Sequence, residues 1–205
     1  FTAFTEDPEL TPSRTVQIQT AYLIPNGPML VNLTALSTKG VDVRILTNSA
    51  ASTNHGVVHA YYSKYRKQLL SENIELYEVQ GTGALATYLD RVGEDAHAGL
   101  HTKAMVVDER LSVIGSYNMD PRSRVWNSEI ALVVDDANFA AEVLQEMERD
   151  FSPEAAWRLS LDEKESVVWT GESEGAETQF HRDPGSTWWD RLVWGIFRIL
   201  PLENE

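Results

Sequence analysis

The chain has 205 residues, 42% of them hydrophobic, and no cysteine. That is enough apolar material for the core of one domain, with or without a long tail. It excludes disulfides and thiolate metal sites, and no apolar run approaches the ~20 residues a membrane-spanning helix requires. A formal charge of −14, from 17 basic and 31 acidic residues, speaks against nucleic acid as partner, since that calls for a basic patch. It equally speaks against broad electrostatic attachment to anionic lipid, so membrane contact would need apolar insertion.

Residues 1–14 are polar, carry Pro8 and Pro12, and read as a tail or linker stub. Val16 to Ile24 alternates as a strand. Pro28 to Thr38 reads as a helix with proline at its start and Gly40 as its stop. Val41 to Thr47 is a β-branched strand. A helix follows from about Val57 to Ser71, capped near Asn54, and Ile74 to Val79 is the next strand. Alternating strands and helices are the pattern of α/β units. Asn48 and Ser49 sit at the end of the Val41 strand, where such folds place ligand-facing groups. His59, Tyr62 and Arg66 share one helix face, which reads first as packing or a contact to another lobe, and second as a headgroup site.

Gly81 to Gly99 is a loop-rich passage to a hairpin, His101–Val107 and Leu111–Gly115. Ile130 to Val134 is a strand and Asn138 to Phe151 a helix, which closes a catalytic lobe over residues 15–159. Residues 160–187 turn to Glu, Gly and Ser; apart from a short strand at Val167–Trp169 they read as an acidic flexible loop. Residues 188–205 hold a Trp-rich amphipathic helix. Trp188, Trp189, Leu192, Val193, Ile196, Phe197, Ile199 and Leu200 lie on one side, and Asp190, Arg191, Gly195 and Arg198 on the other. Core burial is the first expectation for that stripe, a membrane interface the second.

The chemistry concentrates around the hairpin. Residues two apart on a strand share a face, so His101 and Lys103 are expected to project together, as are Ser116 and Asn118. Gly115 admits a substrate or a facing backbone at close range. An imidazole that titrates near neutrality, an ammonium with three donors and two small polar groups together suit a phosphate diester. The imidazole can attack phosphorus or protonate a leaving alcohol, and the other donors can hold the non-bridging oxygens. Asp108 and Glu129 are candidate carboxylates to orient an imidazole. Asp108 could equally be a turn residue bonding the backbone, and Glu129 could simply solvate a strand edge. His97 and His101, four apart, would suit zinc on a helix, but Ala98-Gly99 between them speaks against one.

The run His101-Thr-Lys103, Asp108, Gly115-Ser116-Tyr-Asn118 resembles the HKD motif of the phospholipase D superfamily. The segments Val41–Ser49, Val58–Arg66 and Leu69-Leu70 are similar to those before the second HKD motif of cardiolipin synthases of the C type. Trp126-Asn127-Ser128-Glu129 and the Trp-rich end fit the same pattern. The resemblance implies a mixed central β-sheet flanked by helices, one lobe of a two-lobed α/β enzyme. It implies a metal-independent mechanism, with no cofactor, through a phosphohistidine on one of two histidines, the other acting as general acid and base. Carried over, His101 is nucleophile or acid/base, Lys103 and Asn118 are phosphate ligands, Ser116 a supporting donor and Asp108 an orienting carboxylate.

Only one H-x-K is present, and the chain begins at Phe1 without an initiating Met. The expectation is therefore a C-terminal lobe whose first motif lies in an N-terminal lobe, with a homodimer mate as the alternative source. Such a piece should be inactive or nearly so alone. The expected activity is transfer of a phosphatidyl group from a phospholipid donor to phosphatidylglycerol, at the cytoplasmic side of a bacterial inner membrane. A phospholipase-type hydrolase and a metal-independent nuclease are the alternatives.

Overall fold

The computed structural model describes residues 11–25, 27–81 and 99–199. Its centre is a mixed sheet of nine strands. In chain order the elements are β1 (Thr15–Thr20), α1 (Pro28–Thr38), β2 (Asp42–Asn48), α2 (Gly56–Tyr62), α3 (Arg66–Ser71) and β3 (Glu75–Val79). Then come β4 (Lys103–Val107), β5 (Leu111–Gly115), α4 (Pro121–Val125), β6 (Ala131–Asp135) and α5 (Ala137–Asp150). β7 (Ala156–Leu161), β8 (Val167–Ser173), β9 (Ala176–Phe180) and α6 (Trp188–Ile199) complete it. The spatial order is β6-β5-β4-β1-β2-β3-β7-β8-β9. β1, β2 and β3 run parallel in the middle, and every other pairing is antiparallel.

The three parallel strands are covered on both faces, which explains their near-continuous apolar runs. On one side α1 buries Met29, Leu33 and Leu36, its i, i+4, i+7 stripe. These pack with Ile18, Ile45, Leu69 and Leu76 into the larger core. On the other side α5 sets Ala140 and Met147 against Leu46, Val106 and Phe151. Asp136 caps α5 by accepting from Phe139 N at 2.8 Å. Alternation in the sheet and helical periodicity around it thus meet in two layers, as the α/β reading requires.

Two expectations are corrected. The helix expected over residues 57–71 is broken at Ser63–Tyr65. There Ser63 Oγ donates to Ala60 O at 2.8 Å, and Tyr65 N bonds Tyr62 O, three residues back. That tighter turn separates α2 from α3, with Arg66 buried at the head of α3. Residues 160–187, expected as an acidic flexible loop, are mostly sheet. β8 and β9 form a hairpin whose two-residue loop has Glu174 at φ 55 and Gly175 at φ 75, as a type I′ turn demands. Composition favoured a loop, but Trp157 and Trp169 decide otherwise. Both are buried, Trp157 edge-on to Phe180 at 5.2 Å.

Between α2, β3, β8 and the segment before α6 lies a buried polar network. Glu78, fully buried, accepts from Arg66 Nε at 2.7 Å, Tyr62 OH at 2.8 Å and Trp169 Nε1 at 2.9 Å. Arg66 Nη2 also reaches Asp183 at 2.7 Å, and Asp183 meets His59 Nε2 at 2.9 Å. The shared face of His59, Tyr62 and Arg66 therefore points inward, to a packing role rather than a headgroup site.

Candidate active site

Strand pairing gathers the chemistry at one rim of the sheet. Thr20 pairs with Lys103, and Gly115 with Ala131. The carboxyl ends of β1, β2 and β5 thus share an edge with the amino ends of β4 and β6, the rim where open α/β sheets bind ligands. His101 precedes β4 by two residues and is exposed. Lys103 opens that strand, partly buried. Its Nζ donates to His101 O at 2.7 Å and lies 3.3 Å from His101 Nδ1. Imidazole and ammonium are brought together.

Burial lowers the Lys103 pKa, while the charges of Glu129 and Asp120 oppose the shift. Glu129 is held below the usual carboxylate range by the hydrogen bond from Ser116, with others from Ser123 and Asn127. Asn127 Nδ2 donates to it at 3.1 Å, and Ser116 Oγ also accepts from Ile130 N at 3.0 Å. Ser116, Glu129 and Lys103 thus form one hydrogen-bonded and electrostatic unit across β4, β5 and the segment before β6. Gly115 makes it so. A Cβ there would fall 2.2 Å from Ile130 O and 2.9 Å from Ala131 Cα, so the facing backbone, and not a ligand, takes the space.

Asn118 follows on the loop after β5. Its neighbour Met119 is tied to the rim through Thr20 Oγ1 at 3.2 Å. Asn118 Oδ1 is buried without a hydrogen bond among the described residues, so the fold does not use it.

Asp108 is corrected. It lies at the opposite end of β4, on the order of 17 Å from Lys103 at the usual strand rise. Its carboxylate accepts from Ser13 N and Oγ, Arg14 N and Thr15 N, all within 2.9 Å. Burial pushes its pKa up, but these bonds outweigh it and hold the group low. Asp108 fastens the start of β1 to the hairpin turn and cannot orient a rim imidazole.

Asn48 and Ser49 also turn inward. Asn48 Nδ2 donates to Ala21 O and Leu100 O, both at 2.9 Å, and its Oδ1 accepts from Leu100 N at 2.8 Å. Asn48 thereby fixes the residue just before His101. Ser49 accepts from Ala51 N at 3.1 Å and Ser52 N at 3.2 Å. His97 lies outside the described residues. Among the described residues no three His, Cys, Asp or Glu side chains cluster as a metal site would need.

Two cavities flank the pair. One of about 260 Å³ is lined by Met105, Val113, Tyr117 and Ile130 together with Lys103 and Glu129. The other, about 510 Å³, is polar and lined by Tyr22, Asn48, Ser52, Asn54 and His101. Tyr22 and Asn54, bonded at 2.9 Å, were not read from sequence as site residues, Asn54 being expected only near a helix cap. Their only signal was position, on loops leaving the carboxyl ends of β1 and β2.

A mixed α/β sheet carrying an H-x-K pair on its ligand rim, beside Gly-Ser-x-Asn, defines a phospholipase D-like lobe. The chain belongs to that superfamily, and within it to the family described as cardiolipin synthase, PLD-like domain, which matches residues 11–151. It is 32% identical over 195 residues to cardiolipin synthase C of Escherichia coli, covering 94% of this chain and 41% of that one. This chain thus spans less than half the length of that relative. In fold it is similar to the phospholipase D family member Nuc of Salmonella typhimurium, with TM-score 0.51 and 18% identity, over 71% of this chain and 82% of that one. Phosphatidylserine synthase of Haemophilus influenzae is likewise similar, with TM-score 0.51 and 18% identity, over 68% of this chain and 33% of that one.

Proposed function

We propose that this chain is one catalytic lobe of a phosphatidyltransferase that makes cardiolipin, with phosphatidylglycerol as acceptor. The observation that carries the reading is the His101–Lys103 pair, 3.3 Å apart, on an open rim beside an apolar cavity. An ammonium next to apolar walls suits a phosphate attached to a lipid better than one in a nucleic-acid backbone. In the first step a histidine nitrogen bonds to phosphorus, and the P–O bond to the donor headgroup breaks. That headgroup leaves as an alcohol, with a proton from the second histidine. In the second step the acceptor hydroxyl returns a proton to that histidine, its oxygen bonds phosphorus, and the P–N bond breaks.

Lys103 and Asn118 hold the non-bridging oxygens, with Ser116 supporting them. Glu129 keeps Ser116 oriented and Lys103 charged. His101 takes one of the two histidine roles, nucleophile or acid/base. The other histidine comes from a second H-x-K, in an N-terminal lobe or a dimer mate. The outer strand supports a partner there. Ile130 is 77% exposed, and Leu132 and Val133 of β6 also face water, on a sheet edge with unpaired backbone groups. The enzyme would work peripherally on a bacterial inner membrane. No helix among the described residues is long and apolar enough to cross one.

The test is lipid product analysis with the full-length enzyme and phosphatidylglycerol vesicles. His101→Ala should abolish cardiolipin formation, and unchanged product would refute the assignment. Phosphatidic acid in its place would identify a hydrolase instead.

A further inference from the structure

Among the described residues, helix α6 is fastened to the lobe on one side only. Trp194 is buried, its ring 4.8 Å from that of His59, and its Nε1 lies 3.2 Å from where a Cβ on Gly56 would be. Successive residues advance about 100° around a helix. The side opposite Trp194 therefore carries Trp188, Leu192 and Ile196, with Trp189 and Val193 beside them. All five are exposed, Trp188 at 59%, Trp189 at 58% and Ile196 at 57%. The Trp188 and Trp189 rings stack at 3.8 Å. The expectation that this stripe would be core fails, because α2, which α6 packs on, receives only the Trp194 side. An apolar face of this kind marks an interaction surface.

Charge beside the helix identifies the partner. A groove of about 460 Å³ is lined by Lys64, Lys67, His181, Arg182 and Arg191. Among the described residues lining it the one carboxylate is Asp183, already held by Arg66 and His59. A cationic groove in a chain of net charge −14 matches an anionic surface locally, where net charge argues the opposite. Tryptophan favours the membrane–water boundary. An amphipathic helix with basic flanks lies in that plane rather than crossing it.

The position joins this surface to the rim. A Cβ on Gly185, just before α6, would lie 2.6 Å from that of Ala51, and Gly56 meets Trp194. The first contact falls on the loop from β2 to α2 and the second on the first residue of α2; that loop also lines the polar cavity of His101 through Ser52 and Asn54.

We propose that α6 is an interfacial anchor for an anionic phospholipid bilayer. Trp188, Leu192 and Ile196 enter the boundary between headgroups and acyl chains. Lys67, Arg182 and Arg191 engage phosphates at the surface, and the polar cavity of His101 is carried to the lipid. This deepens the lipid-transfer reading and rests on it only in that last clause, because binding is separable from catalysis.

The test is sedimentation of the chain with vesicles of equal parts phosphatidylglycerol and phosphatidylcholine, with tryptophan emission recorded in parallel. Binding with a blue shift is expected. Leu192→Glu should weaken it roughly ten- to a hundredfold, the value of one leucine side chain removed from water. Lys67→Gln with Arg182→Gln should weaken it about 30-fold and reduce its salt sensitivity. Circular dichroism establishes that each variant is folded. His101→Ala should bind as the parent does, so a failure of the transfer chemistry leaves the anchor intact. Absence of vesicle binding by the parent, or binding unchanged by Leu192→Glu, overturns the proposal. A dimer dispersed by Leu192→Glu, without vesicle binding, overturns it too and assigns the face to a second copy.

Discussion

Glu78→Gln is the sharpest test of how the lobe is held together. Glu78 Oε1 accepts from Arg66 and Tyr62, and Oε2 accepts from Trp169. Glutamine has the same shape but only one acceptor oxygen. Whichever way its amide turns, an NH2 group faces a buried donor, and one negative charge beside Arg66 is lost. Breaking a buried pair costs about 3–5 kcal/mol, and the lower end applies because Asp183 still pairs with Arg66 at 2.7 Å. At roughly 2–4 °C per kcal/mol for a chain of this size, the melting temperature should fall by about 6–12 °C. Thermal and urea unfolding would measure it, with Glu75→Gln as control. The ion pairs of Glu75 with Arg44 and Arg158 are partly or largely exposed, at 3.6 and 3.3 Å, and are worth under about 1 kcal/mol. A loss at Glu78 no larger than that of the control would refute the account of Glu78 as the buried acceptor of three donors.

Asp108→Ala should cost about 1–2 kcal/mol, since four partly exposed hydrogen bonds to Ser13, Arg14 and Thr15 go. The turnover of the folded full-length enzyme should not change; a large loss of turnover would restore Asp108 to the chemistry. Gly115→Ala should destabilise by about 1–3 kcal/mol, because the new methyl meets Ile130 O. Urea melts read that cost, and an unaffected midpoint would contradict the close approach of β5 to β6. For acid stability, burial raises the Asp183 carboxyl, but Arg66 and His59 overcome it and hold it well below the usual range. The bonds at Asp108 act in the same direction. A depressed carboxylate contributes stability that is complete above its unfolded pKa near 3.9 and is lost as pH falls from there through its lower folded pKa. Unfolding free energy should therefore drop below about pH 4, and Asp183→Asn should flatten that slope.

What could be read along the chain was what depends on near neighbours. The hairpin of β4 and β5 was legible because two-residue alternation marks its strands, whereas His101, Ser116 and Asn118 fall just outside them. Helix α1 was legible from Pro28, Gly40 and its apolar spacing, all local signals. Asp108 shows the limit. It belongs to the same motif by spacing, yet five residues of extended strand carry it to the far edge of the sheet, where the chain start at Ser13–Thr15 happens to need an acceptor. The acidic 160–187 segment misled because composition averages over residues, whereas Trp157 and Trp169 bury themselves against elements far away in sequence.

The order of the strands, and with it which loops meet His101, was decided only in three dimensions. The sequence alone determined that His101 and Lys103 lie near each other, since they are only two residues apart in the chain. Tertiary packing decided that His59, Tyr62 and Arg66 face Glu78 and not a ligand, and that α6 turns Trp194 inward and its other tryptophans to water. Those choices rest on which distant surface each face finds, and no local periodicity carries that information.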